Sequence, residues 1–137
     1  MKFNDRINGI ELSEIGTVIL TGTEEFLSFP ERKETYENDW REDNGSEYEL
    51  SLPRFKDKEV TLKMGILARN EDAFWGHYDK LWGLLQKEGV TTIYIDDHQK
   101  EYRCFYKKSG NFKKTLKRLR NVEQVFVKFE LTFKVLT

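Results

Sequence analysis

The segment 122–136, VEQVFVKFELTFKVL, alternates between apolar and polar residues almost without interruption. Successive side chains of a β-strand point to opposite faces, so Val125, Val127, Phe129, Leu131, Phe133 and Val135 share one face. Gln124, Phe126, Lys128, Glu130, Thr132 and Lys134 share the other. A helix would scatter the same residues around its axis, which leaves a half-buried strand as the reading. Strands usually run about 5–6 residues. One this long is expected to pass through the centre of a sheet or to curl with it, and the rest of the chain has to cover its apolar face.

Other segments supply candidates for that cover. EVTLKMGILA (59–68) alternates in the same way, with Val60, Leu62, Met64 and Ile66 on one face. ELSEIGTVILTGT (11–23), EEFLSFP (24–30) and SEYELSLP (46–53) read as strands from their β-branched and aromatic content, the second stopped by Pro30. VTTIYIDDHQKEYRCFYKK (90–108) reads as a hairpin, with a strand at 91–95, a polar turn at 96–99 and a strand at 101–107. Between these strands the period changes. In NEDAFWGHYDKLWGLLQKEG (70–89), Phe74, Tyr78, Leu81, Trp82 and Leu85 form one helical stripe. Asn70 is placed to cap that helix, Glu71 and Asp72 suit its positive end, Lys87 suits the other, and Gly89 can end it. The expected architecture is α+β, mainly β: an antiparallel β-sandwich or open barrel of about seven to nine strands, with one amphipathic helix (about 71–87) packed on it.

At 137 residues the chain is expected to form a single domain over 1–137, able to close one core without disulfides or a metal. The single cysteine, Cys104, allows no internal disulfide. No stretch approaches the roughly 20 apolar residues of a membrane span, and the first residues lack the apolar run of a signal peptide, so cytoplasmic synthesis is expected.

Enzyme chemistry finds no foothold. There is no glycine-rich phosphate-binding pattern. His77 and His98 stand far apart in sequence and outside any catalytic motif, and Cys104 falls in strand alternation like a small buried hydrophobe. DDHQ (96–99) is read as a solvated turn and DNGSE (43–47) as another, since neither has metal-ligand spacing. No cofactor and no metal are expected, and the chain is read as not an enzyme.

Charge is where the sequence is uneven. The net charge is -1, but residues 1–59 hold 8 basic and 15 acidic residues (net -7), and residues 60–137 hold 15 and 9 (net +6). Two segments concentrate this. ERKETYENDWREDNG (31–45) is a charged loop or extended hairpin ending in the Asn44-Gly45 turn signal, and it carries Tyr36 and Trp40. These rings either fold back onto the domain or anchor a partner. KKSGNFKKTLKRLR (107–120) holds Lys107, Lys108, Lys113, Lys114, Lys117, Arg118 and Arg120 with no acid among them. It can be a strand edge whose charge prevents unwanted pairing, a docking surface for an acidic face of a neighbouring copy or partner, or a nucleic-acid surface with Tyr102, Tyr106 and Phe112 as stacking platforms.

From residue 45 onward, the order of elements resembles the N-terminal domain of phage distal tail (Dit) proteins and, more distantly, tail-tube proteins. The likeness lies in the strand carrying Lys58 to Leu62, the helix FWGHYDKLWGLLQKEG, and the hairpin with Ile93 to Asp96 and Tyr102-Arg103. It covers about two thirds of the chain. The resemblance implies a structural subunit of a phage or prophage tail, assembled in the bacterial cytoplasm and ending in the virion. It also implies a ring, usually six-fold, with copies of itself and other tail proteins as partners and no catalytic residues. The galectin-like second domain that many members carry is not expected within these 137 residues. A head-to-tail ring gains from opposite charge on its two contacting faces, which the charge split supplies. The alternative is a small nucleic-acid-binding β domain using the 107–120 stretch.

Overall fold

The computed structural model describes the side chains of residues 4–33, 53–115 and 124–136, and the backbone of strand residues at 37–39, 46–48, 116–119 and 122–123. In chain order the strands are β1 (Arg6–Ile7), β2 (Ile10–Glu11), β3 (Thr17–Thr21), β4 (Glu37–Asp39), β5 (Ser46–Tyr48) and β6 (Lys58–Ala68). The helix α1 (Glu71–Leu85) follows, then β7 (Thr91–Ile95), β8 (Lys100–Leu119) and β9 (Val122–Val135). Seven strands form one antiparallel sheet in the order β2-β1-β7-β8-β9-β6-β3, and β4 and β5 pair apart as a small hairpin. The architecture is the expected mainly β, α+β class: an open antiparallel sheet with one helix.

The alternating segment lies inside that sheet, with β6 on one flank and β8 on the other. All six residues of its expected apolar face, from Val125 to Val135, are buried. Across the ladder Val60, Leu62, Met64 and Ile66 of β6 meet Phe133, Leu131, Phe129 and Val127. Ile7, Ile93 and Ile95 join the same core, so the sheet curls over one cluster. On the opposite face Phe126 breaks the polar pattern. Its ring lies over Gly65, where a Cβ would sit 2.7 Å from Cζ, so only glycine permits this close approach.

The helix begins where expected: the Asn70 side chain accepts a hydrogen bond from the Ala73 N–H at 2.8 Å. It ends at Leu85 rather than 87, capped by Gln86 ahead of Gly89. Phe74, Leu81 and Leu85 are buried, whereas Trp82 stays half exposed.

The N-terminal third departs from the expected strands. Residues 11–23 are not one strand: β2 ends at Glu11, a 3-10 turn spans Leu12–Ile15, and β3 occupies Thr17–Thr21. Residues 24–30 are not a strand either, because the chain turns at Gly22 (φ 105°) into a 3-10 turn over Thr23–Leu27. Phe26 drops into the core there and stacks on Tyr102, with centroids 4.4 Å apart. An unforeseen hairpin, β1–β2, precedes them through Asn8 and Gly9, both at positive φ. Asn8 clamps it to β7. Its N–H donates to the Thr92 carbonyl at 2.7 Å, and its Oδ1 accepts from the Thr92 N–H at 3.0 Å.

Candidate interaction surfaces

The basic stretch continues β8, a strand of 20 residues rather than the expected 101–107. Two irregularities, between Tyr106 and Lys108 and between Gly110 and Lys113, shift its register against β9. Asn111 sits in the second at φ 55°, and its amide donates to Glu130 at 2.6 Å. Residues 100–104 of β8 pair with β7, and residues 104–119 pair with β9. Among the described residues only Cys104 of β8 has strand partners on both sides, and past it none of them has a partner on the second flank.

The charges of the stretch are dispersed along that strand. Lys107 pairs with Glu59 at 2.5 Å, and Lys114 pairs with Glu71 in the first turn of α1. The Lys107 ammonium donates to the Glu59 carboxylate and holds it below the usual carboxylate range, against a smaller opposing effect of burial. Lys113 stands directly opposite Lys128, a like-charged pair. Lys108 faces Thr132 and is exposed. Lys117 and Arg118 lie on the strand opposite Gln124 and Glu123, with their side chains outside the described residues. Tyr36, Trp40 and Arg120 also fall outside them. Six of the seven basic positions of the stretch thus lie on β8, and two of them, Lys107 and Lys114, are tied within the chain.

The aromatic residues divide sharply. Tyr102 is 8% exposed, fastened between Phe26 and His98, whose Nδ1 lies 2.9 Å from the tyrosine hydroxyl. Tyr106 lies edge-on between Trp82 and Phe133. Tyr102 is thereby committed to the core, while Tyr106 is only partly buried between the helix and the sheet. Phe112 stacks on Phe129 at 5.2 Å but remains 50% exposed, the most open of the three rings.

A groove runs between α1 and the sheet, lined by Tyr78 and Trp82 of the helix, Tyr106, Ser109 and Phe112 of β8, and Phe129 of β9. Its volume is about 190 Å³, below the roughly 300–1,000 Å³ of sites that hold a drug-sized ligand. Sequence patterning missed it because it placed Trp82 in the buried stripe of the helix. A second feature was missed altogether. Phe29 is 95% exposed, next to Leu27 at 59%. The loop that carries them is held by Lys58, whose ammonium donates to the carbonyls of Phe26 at 2.5 Å and Ser28 at 2.7 Å. Burial, and then the nearby Lys100, lower the Lys58 pKa.

Groups able to do chemistry are occupied elsewhere. Burial pushes the Cys104 thiol up to about 12, and its Sγ donates to the Thr91 carbonyl. It is a protonated core residue at neutral pH. Burial, followed by Lys80, lowers the pKa of His77, whose ring packs against Gly16. Among the described residues no cluster of three His, Cys, Asp or Glu side chains could hold a metal, and no helix is long and apolar enough to cross a membrane.

No protein-family model and no curated protein sequence matches this chain. A solved structure does: the SPP1 Dit protein, described as a paradigm of the hub adsorption apparatus in phages that infect Gram-positive bacteria. The superposition has a TM-score of 0.60 at 14% sequence identity and covers 96% of this chain. The chain spans half the length of that protein. Through a curled antiparallel sheet carrying one helix, it is similar in fold over nearly its whole length to the SPP1 distal tail protein.

Proposed function

We propose that this chain is a non-enzymatic structural subunit of a phage or prophage tail, a distal tail, tube or tail-tip component that assembles with copies of itself into a ring. The observation that carries this reading is the shared fold with a phage hub protein, extending over 96% of the chain. The reading takes 1–137 as one tail-tube or distal-tail-like domain. It is built in the bacterial cytoplasm, contacts other tail proteins and resides in the virion tail.

Charge supports the same reading. A ring subunit meets its two neighbours through different faces, and a chain with net -7 in residues 1–59 and net +6 in residues 60–137 can make those faces complementary. Tyr36 and Trp40 on the acidic side, and Lys107, Lys108, Lys113, Lys114, Lys117, Arg118 and Arg120 on the basic side, are the proposed contact residues. The nucleic-acid alternative loses one of its three stacking rings, Tyr102, to the interior, and Tyr106 is partly buried between Trp82 and Phe133.

Light-scattering mass over a concentration series, at low and high salt and with and without a single-stranded oligonucleotide, tests the proposal. The expected result is a ring, a hexamer by the resemblance, that forms without oligonucleotide and loosens as salt rises. A protein that stays monomeric alone and alongside its neighbouring tail proteins overturns it. Mass gained only with oligonucleotide makes the basic strand a nucleic-acid surface instead.

A further inference from the structure

We infer that the hollow beside the 26–30 turn is a docking site for an acidic segment of a partner protein, one that joins a side-chain carboxylate to a neighbouring bulky apolar residue. This goes beyond the self-assembly reading and does not depend on it. Strand alternation puts Lys58 in the core-facing phase of β6 with Val60 and Leu62, and Lys100 in that of β8 with Tyr102 and Cys104. Both lysines thus stand where the pattern calls for an apolar residue, at one end of the core. With Phe26, Leu27, Phe29 and His98 they line a hollow of about 390 Å³, within the roughly 300–1,000 Å³ of ligand-holding clefts.

Charge selects the occupant. Among the described residues neither lysine forms an ion pair, and no carboxylate lines the hollow. Nearby acids are engaged elsewhere: Glu25 accepts from the Thr61 N–H at 2.6 Å, Asp5 from the Asp96 N–H at 2.9 Å, and Asp96 from the Gln99 amide at 3.1 Å. Lys58 uses two of its three N–H donors on the carbonyls of Phe26 and Ser28, which leaves one for an acceptor from outside. The Lys100 ammonium lies over the Tyr102 ring at 5.4 Å, near enough to Lys58 to repel it. A carboxylate between the two relieves that repulsion. Leu27 and Phe29 stand in solvent at the edge, where they offer apolar contact to the residue beside the carboxylate and leave room for an extended chain to cross.

Calorimetric titration of the full chain, which reads monomer and ring alike, tests the site with three short peptides. The first is acetyl-Gly-Glu-Phe-Gly-amide, the second has Gln in place of Glu, and the third is the Gln peptide with a free terminal carboxyl. The expected result is saturable binding of the Glu peptide alone. Lys100→Glu should weaken it about tenfold, since reversal adds repulsion to the lost attraction. The same reversal at Lys63, exposed in the opposite phase of β6, should leave affinity unchanged. Lys100 is exposed too, so its replacement leaves the fold intact, which circular dichroism verifies. No binding of any peptide, equal binding of the Glu and Gln peptides, or equal loss from the two reversals overturns the site. Binding of the free-carboxyl peptide alone overturns the internal acidic segment in favour of a chain end.

Discussion

The two parts of β8 lie on one continuous strand and have opposite characters. Residues 100–104 are paired to β7, and their inward side chains, Tyr102 and Cys104, are buried. Beyond Cys104 the strand pairs with β9, and Phe105 and Phe112 are exposed. Apart from Cys104 each part has a single strand partner, so the difference teaches that what covers the inward face decides burial: Phe26 closes over Tyr102, whereas Phe112, stacked on Phe129, keeps half its surface in solvent.

Mutations can break or sharpen that contrast. Phe133→Ala, at the fully buried partner of Tyr106, is expected to cost about 3–5 kcal/mol in a denaturant melt, the largest effect. Tyr102→Ala, which removes the Phe26 stack and the His98 contact, is expected to cost about 3 kcal/mol. At the junction, the thiol of Cys104 titrates at about 12 in the fold against an ordinary 9.0, so the unfolded chain releases its proton first. The stability this carries is complete below pH 9.0 and is lost as pH rises toward about 12, and Cys104→Ala should flatten that alkaline limb in melts followed by circular dichroism.

The open part of the strand should be more forgiving. Phe112→Ala is expected to cost only about 1 kcal/mol, the worth of its stack on Phe129. A cost equal to that of Tyr102→Ala would erase the contrast. Smallest is Lys113→Glu, which replaces a like-charged pair with an attractive one opposite Lys128 and should gain about 0.2–1 kcal/mol. The gain should shrink in high salt.

The same contrast sets what the sequence made legible. β9, β6 and β7 could be placed because unbroken alternation survives in them, and α1 because Asn70 and its apolar stripe agree. The second part of β8 was legible only as one of several readings, a strand edge among them, since its two register irregularities interrupt the alternation past Tyr106. EEFLSFP imitated a strand in its spacing, while Gly22 had already turned the chain. The Asn8-Gly9 turn signal was present but stood between strands of two residues each, too short to show a period. Of the interaction surface, the basic residues and Phe112 were legible. Phe29 and the groove were not, because exposure of an apolar residue and the meeting of a helix with a strand flank are properties of the fold.

The Asn8 clamp also bears on how the chain reaches this structure. β7, β8 and β9 follow one another through short turns and can form as a local meander, but Arg6 of β1 finds its partner at Tyr94, 88 positions later. Contacts that close long loops lose more chain entropy before any pairing is gained, and they slow folding accordingly. The two-residue strand β1 is therefore set to arrive last, completing a sheet whose other side has already formed.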